Sequence, residues 1–467
     1  MPSNEIDPFL IAEHELGLAT DLYQLTMMAA YRARGLEGDA TFELFVRRLP
    51  PGRGFLVAAG LEQALAYLAK LRFDAEAIAY LRSLPVFAHV EPSFFDYLAG
   101  FRFHGEVDAV PEGTIVFPNE PLLRIRAPLE EAQLIETYLL ATLNFQTLIA
   151  SKAARVRLAA GDKRLVDFGA RRAHGFGAAL QATRACWIGG LDGTSNVLAA
   201  QRLGIPVMGT AAHAFIMSYA REEDAFHAYH ALYPDHCVLL VDTYDTLEGC
   251  RRAAAVGPGL KGVRLDSGDL GALAKGCRRI LDEAGRTKTQ IVASGDLNEE
   301  KIAALLADGA PIDSFGVGTE LVTSRDQPAL GGVYKLVERV EDGVRMPVMK
   351  LSEGKVTWPG AKQVYRRFDA SGRLVDDVLE LADAEAPSAP PGGRVQGLLV
   401  PVMREGQVIT PDAIELGASR QRCIEGLAAL PDELRRLQGF AAPPTVIGPA
   451  LQAMADALRA DRAKNAE

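Results

Sequence analysis

Asp266 and Asp269 stand three apart across Ser267 and Gly268, where the apolar run Gly262-Val-Arg-Leu265 ends. Carboxylates at that spacing can share a diol or, through water, a magnesium ion, and Asp242, ending Val238-Leu-Leu-Val241, is placed to join them. Asp269 is equally suited to cap the helical pattern that begins at Leu270. Arg264 interrupts the apolar run itself; an unpaired guanidinium in a protein interior is expensive, so an anion is expected beside it. His213, in Gly209-Thr-Ala-Ala-His213, is open to three uses: base, phosphate acceptor or core histidine. Val166-Asp-Phe-Gly169, followed by Ala170-Arg-Arg172, brings Phe168, Arg171 and Arg172 to another strand end, with core packing and solvation as their plain alternatives. Val292-Ala-Ser-Gly-Asp-Leu297 and Gly316-Val-Gly-Thr319 place Ser294, Gly295, Gly318 and Thr319 where backbone N–H groups can approach phosphate oxygens. Glycines of ordinary tight turns would look the same.

These residues share one grammar. Val166–Gly169, Pro206–Thr210, Val238–Thr243, Gly262–Asp266, Ile291–Gly295 and Ser314–Thr319 are each short apolar runs finishing in Asp, Thr, Ser or Gly. Helical patterns separate them at Thr194–Leu203, Asp245–Ala255, Leu270–Ala284 and Asn298–Ala307, and the third keeps Leu270, Leu273, Ala274, Cys277, Ile280, Leu281 and Ala284 on one face. Repeated βα units mean a parallel sheet, and polar groups at every strand's C-terminal end favour an irregular, TIM-like α/β barrel over a sheet with one switch point.

Around this series the chain changes character. Thr20–Tyr31 is predicted to be a helix with Leu22, Leu25, Met28 and Ala29 inward and Tyr23 half-buried off that stripe. Ala40–Val46 alternates as a strand, and Arg47, Arg48 and Arg53 surround the turn Pro50-Pro-Gly52, as a phosphate site or, more commonly, a solvated basic loop. Leu56–Leu98 is helical in pattern. Gly105–Ile125 returns to short strands, and Leu129–Ala160 reads as two helices with acids early and bases late, as helix dipoles favour. Beyond Val337 come short strands with turns at Glu341–Gly343, Ser352–Gly354 and Ser371–Gly372, a loop over Ala386–Gly393, and a helical tail from Pro443. The expected domains are 1–160, α+β with linking helices; 161–337, the α/β barrel; and 338–467, strands and helices that rejoin the first.

Composition bounds the function. A 467-residue chain that is 48% hydrophobic and 24% charged is long enough for two or three packed domains. Its net charge of −10 argues against bulk attraction to nucleic acid or anionic membrane. The five scattered cysteines form no C-x-x-C pair, so neither a disulfide framework nor a zinc site is indicated and a reducing cytoplasm fits. The acidic start Met1–Asp7 lacks the features of a signal peptide, and no apolar run approaches the roughly 20 residues of a membrane span.

Taken in order, Thr20-Asp-Leu-Tyr-Gln24, Phe42-Glu-Leu-Phe45, Gly193-Thr-Ser-Asn-Val-Leu198, Gly209–His213, Gly262–Leu270 and Gly331-Gly-Val-Tyr-Lys-Leu336 resemble nicotinate phosphoribosyltransferase, with weaker similarity beyond Lys350. The resemblance implies a type II phosphoribosyltransferase fold, an irregular α/β barrel beside an α/β domain, and a homodimer that completes its active sites across the two-fold. It implies joining nicotinate to PRPP to give nicotinate mononucleotide and pyrophosphate for NAD synthesis, with coupled ATP hydrolysis and Mg2+. Position by position, Tyr23, arriving from the neighbouring subunit, and Phe168 look like a clamp on the pyridine ring. Thr210 and Arg264 are similar to nicotinate contacts, and His213 to the histidine phosphorylated by ATP. Arg171, Ser294, Gly295, Gly318 and Thr319 resemble the phosphate cradle, and Asp266 and Asp269 the ribose and magnesium side. Ser195 stands where nicotinamide-using relatives carry an aspartate, which favours the acid over the amide. Asp167 stands where the family often has Glu, and the stretch Phe215–Asp242 is shorter than in some longer members. Nicotinamide or quinolinate phosphoribosyltransferase is the nearest alternative, although no extra basic residues for quinolinate's second carboxylate are evident. A catalytically silent nucleotide sensor on the same scaffold is another, opposed by intact Arg264, His213, Asp266 and Asp269.

Overall fold

The computed structural model describes residues 11–36, 38–351 and 357–464. The start Met1–Asp7 and the turn expected at Ser352–Gly354 lie outside the described residues. The chain divides into two compact units: residues 1–147, 329–436 and 440–467 form one, and 148–328 with 437–439 the other.

The second unit contains a six-stranded parallel sheet. Its strands lie in the order Gly193–Thr194, Arg164–Asp167, Ser314–Val317, Gln290–Ala293, Gly262–Leu265 and Val238–Leu240. Helices alternate with them at Phe176–Ile188, Val197–Leu203, Thr246–Ala255, Leu270–Glu283 and Glu299–Ala307. Four of these start on a side-chain cap: Asn196, Asp245, Asp269 and Asn298 each accept the backbone N–H three residues on, satisfying a donor that the helix leaves unpaired. Ala274, Cys277 and Leu281 of the helix after Asp269 are buried, whereas Ala284 follows its end and is exposed.

One expected strand is not formed. The stretch 206–210 makes a single parallel bridge, Val207 to Thr194, flanked by backbone bonds from Thr194 to Pro206 and from Met208 to Thr194. Pro206 has no N–H to donate. The short strand Gly193–Thr194, which carries no apolar run to mark it, stands between this stretch and Arg164–Asp167. The hydrogen-bonded ladder is open, with outer strands at Gly193–Thr194 and Val238–Leu240.

The first unit is built on an antiparallel sheet. Its strand Asp39–Val46 pairs with Gly332–Glu341 on one side and Pro121–Pro128 on the other, and Val400–Arg404 pairs with Glu106–Ala109. Every residue of Asp39–Val46 after the first is buried, so its charge needs a partner: Glu43 meets Lys362 Nζ at 2.8 Å. The helix Leu22–Ala33 buries Gln24, Leu25, Met28 and Ala29, while Leu22, expected inward, is exposed. Arg53 is fully buried, which overturns its reading as part of a solvated loop. Leu56–Val57 is a strand ahead of the helices Leu61–Lys70, Ala75–Ser83 and Pro92–Gly100. Thr445–Ile447 is likewise a strand ahead of the tail helix Pro449–Lys464. All five cysteines are buried and free. Among the described residues, no helix is long and apolar enough to cross a membrane.

Candidate active site

Arg264 is the hub of the strand ends. Its Nε donates to Ser294 Oγ at 2.8 Å, one terminal nitrogen to Thr210 Oγ1 at 2.8 Å, and the other to Asp266 Oδ1 at 2.5 Å. The guanidinium carbon stands 5.4 Å from the centre of the Phe168 ring, within cation–π range. Five residues expected from sequence to share a site are thereby brought into direct contact. Ser294 also donates to Asp266 Oδ1 at 2.5 Å. Burial alone would raise the Asp266 pKa, but the Ser294 hydrogen bond and the Arg264 charge, helped by His213, outweigh it and hold the carboxyl below its usual range.

Asp242 underlies the next layer. Its Oδ2 accepts from the Asp266 backbone N–H at 3.0 Å and from the Ser267 hydroxyl at 2.6 Å, which fixes the turn after Leu265. Its Oδ1 is buried without a hydrogen-bond partner and faces His213 Nε2 at 3.9 Å, and Asp266 Oδ2 lies at the same distance from that nitrogen. His213 Nδ1 is 3.1 Å from Thr243 Oγ1, so one imidazole nitrogen is positioned and the other is flanked by two carboxylates. In sequence Thr243 marks only the end of the run Val238–Thr243, with no role attached to it. His213 is 40% exposed and so is no core histidine.

The carboxylate oxygens bear on magnesium. Among the described residues, no three His, Cys, Asp or Glu side chains are grouped to hold a metal. Asp242 Oδ1 and Asp266 Oδ2 are two hard donors, which fits an ion bound by one or two carboxylates with water and substrate phosphates completing its shell.

Phe168 is held by its neighbours. A Cβ on Gly316 would meet its Cδ2 at 2.3 Å, so the ring lies flush against the strand Ser314–Val317. The preceding Asp167 is buried without a cation: Oδ1 accepts from the Gly169 N–H at 2.8 Å, and Oδ2 from the hydroxyls of Thr183 and Thr194, each at 2.9 Å. Burial raises its pKa despite these donors. Sequence carries no sign of this triad. Ser195 is tied to the same strand end, its N–H donating to the Asp167 carbonyl at 2.9 Å. Arg171 is exposed in the turn Ala170–Arg172.

The remaining expected residues are placed differently. Gly295 has φ +94°, and a Cβ there would lie 2.0 Å from the Asp266 carbonyl oxygen, so only glycine fits. It lies ahead of the cap Asn298 rather than at the helix start. Gly318 precedes the four-residue helix Thr319–Val322. Asp269 accepts from the Ala272 N–H at 3.0 Å, the capping use among its two readings. Tyr23 belongs to the first unit; it is 48% exposed, and its hydroxyl donates to Glu136 Oε2 at 3.3 Å.

A cavity of about 850 Å³ lies within the second unit. It touches Phe168 and Thr210 at one end, and its walls include Val166, Val238, Val292 and Ser314. His213, Arg264 and Asp266 are not among its lining residues.

Comparison with known proteins bears on this arrangement. Residues 18–144 match the nicotinate phosphoribosyltransferase N-terminal domain model, and residues 163–350 the nicotinate phosphoribosyltransferase family model. A nicotinate phosphoribosyltransferase of Mycobacterium tuberculosis is 45% identical, over 93% of this chain and 92% of its own. That of Bacillus subtilis is 48% identical, over 80% of this chain and 78% of its own. The crystal structure of human nicotinic acid phosphoribosyltransferase superposes with a TM-score of 0.82 at 32% identity, over 94% of this chain and 99% of that one.

Proposed function

This chain belongs to the nicotinate phosphoribosyltransferase family, and from that premise we propose a role for each residue of its site in joining nicotinate to PRPP. The observation that carries the reading is Arg264. A guanidinium has five N–H donors. Three are spent on Ser294, Thr210 and Asp266, which leaves one on each terminal nitrogen, the pair suited to a bidentate carboxylate. Phe168 supplies a ring face beside it. A planar aromatic carboxylate is the ligand that uses both.

The ring nitrogen of nicotinate attacks the anomeric carbon of PRPP as the bond to pyrophosphate breaks, so charge leaves on the pyrophosphate. Arg171 and the backbone at Ser294, Gly295, Gly318 and Thr319 receive the phosphates, and Asp266 and Asp269 face the ribose side. Mg2+, held through Asp242 and Asp266, would neutralise the leaving pyrophosphate. ATP phosphorylates His213: an imidazole nitrogen bonds to the γ-phosphorus as ADP departs. Two carboxylates 3.9 Å from Nε2 would repel that phosphoryl group unless a cation screened them, which supports ATP and Mg2+ acting together.

Three further readings accompany this one. The parallel sheet curls into an irregular barrel, a reading supported by the cavity whose walls come from the strands beginning at Arg164, Val238, Gln290 and Ser314. Two copies of the chain form a dimer, with Tyr23 of one covering the ring site of the other. The free thiols fit a cytoplasmic enzyme.

The test is a turnover assay with nicotinate, nicotinamide and quinolinate in parallel, with and without ATP, on the unaltered protein and on Arg264→Lys. Nicotinate should be strongly preferred. The lysine variant, unable to form the bidentate pair, should lose roughly tenfold to a hundredfold in kcat/KM for nicotinate. Equal use of acid and amide by the unaltered protein would refute the ring site.

A further inference from the structure

The cavity that touches Phe168 and Thr210 continues to the other end of the strands. There it is bounded by Arg164, Lys261, Arg286, Lys288 and Gln290. Arg164 and Gln290 are the first residues of their strands, and Phe168 directly follows Asp167, the last of the first strand. The two ends are thus about four residues apart along a strand, or ~13 Å. Parallel α/β barrels normally fill that depth with layers of bulky side chains. Here Val166 and Val292 line the depth, Val238 and Ser314 begin their own strands in register with Gln290 and Arg164, and the space stays open.

Charge distinguishes this far mouth. The lining carries four Lys and Arg residues against one carboxylate, Asp235, in a chain whose net charge is −10. Arg164, Lys261 and Lys288 are exposed, and no acid among the described residues forms an ion pair with any of them. A basic rim on a cavity in an otherwise acidic protein concentrates small anions.

We propose that this mouth is a second entrance, through which an aromatic carboxylate reaches Phe168 and Thr210, the neighbours of Arg264, from behind. The proposal rests on the ring site assigned above. With PRPP and ATP at the C-terminal strand ends, a second anion arriving from that side meets like charge in a crowded cleft. The far mouth offers the opposite field and a path that the phosphorylated substrates do not occupy. Its ligand class is a small monoanion with a flat ring, admitted by the charge of the mouth and matched to the Phe168 ring at the other end.

The experiment uses two variants of the full-length protein at exposed positions outside the substrate contacts. In Lys261→Glu/Lys288→Glu, kcat/KM for nicotinate with PRPP, ATP and Mg2+ saturating should fall about tenfold at low ionic strength. The deficit should shrink as salt shortens the Debye length, while the KM for PRPP stays unchanged. In Gln290→Trp, which narrows the mouth without altering charge, kcat/KM for nicotinate should fall at low and high salt alike. If both variants match the unaltered protein, the entrance is refuted. If they match while turnover still depends on Arg264, the ring site stands and only the entrance falls. If turnover is indifferent to Arg264, the ring site itself is lost.

Discussion

At the scale of single residues, the site works by leaving chosen atoms unsatisfied. Arg264 is oriented by three acceptors and retains two donors; Asp242 has one buried oxygen with no hydrogen-bond partner; and His213 has one nitrogen positioned by Thr243. Buried polar groups ordinarily find partners, so such atoms mark where a ligand belongs. Were His213 the phosphoryl acceptor, His213→Ala should abolish stimulation by ATP and acid-labile labelling from γ-labelled ATP, while basal PRPP-dependent turnover and the folded state persist. Undiminished labelling of the variant would remove the role. The role that the family resemblance suggests for Ser195 is to discriminate acid from amide, since a hydroxyl can donate to a carboxylate and an aspartate repels one. Ser195→Asp should therefore weaken nicotinate use by roughly tenfold to a hundredfold and nicotinamide use by less. A comparison of kcat/KM for the two substrates reads the difference directly. Most of this site was legible because Asp, Thr, Ser and Arg interrupt apolar runs, and an interruption is a local signal. Asp269 shows the limit: sequence offers it as cap and as ligand alike, and the bond from the Ala272 N–H to its Oδ1 shows the first use without bearing on the second.

At the scale of elements, the alternation of apolar runs and capped helices was readable because caps and periodicity operate within a few residues. The stretch 206–210 was apolar enough to read as a strand, yet it shrinks to one bridge beside Gly193–Thr194, a pairing set by distant chain. The supports of the elements were equally hidden. Glu299 looks in sequence like any acid in a first helical turn, but it is fully buried against Lys152 Nζ at 2.8 Å and Arg155 Nε at 2.9 Å. It thereby pins the helix Glu299–Ala307 to the part of the helix Glu136–Ala160 that lies within the second unit. Burial alone would raise its pKa; Lys152 and then Arg155 outweigh that and hold it below the usual range. A carboxyl with a depressed folded value stabilises the fold above its unfolded value, and that contribution is lost as pH falls through the folded one. Glu299→Gln would leave Lys152 and Arg155 buried with too little counter-charge and should cost about 3–5 kcal/mol near neutral pH, read by thermal or denaturant unfolding. The gap between the two proteins should narrow as the pH is taken into the acid range. A gap that stayed constant down to that range would mean the helix is held by packing alone.

At the scale of the whole molecule, the proposed ring site draws on a second copy of the chain. Tyr23 and Arg264 belong to different units, and the ring of Tyr23 is nearly half exposed, with one hydrogen bond to Glu136 as its polar anchor. An aromatic placed this way on an N-terminal helix is available to a second copy of the chain, and two-fold dimers put the same surface of each copy to use twice. Complementation distinguishes a shared site from a self-contained one. Take Tyr23→Ala and Arg264→Ala chains, each inactive alone, and let them exchange into mixed dimers. Should Tyr23 act across the dimer, a hybrid holds one site with both residues intact and one with neither. Random pairing makes half of all dimers hybrids, so recovery should reach about a quarter of the activity of the unaltered protein. Should Tyr23 act within its own chain, every site in a hybrid carries one defect and mixing recovers nothing. Hybrid formation can be scored independently by tagging one variant and measuring how much of the other is retained. Hybrids that form and stay inactive would confine each site to a single chain.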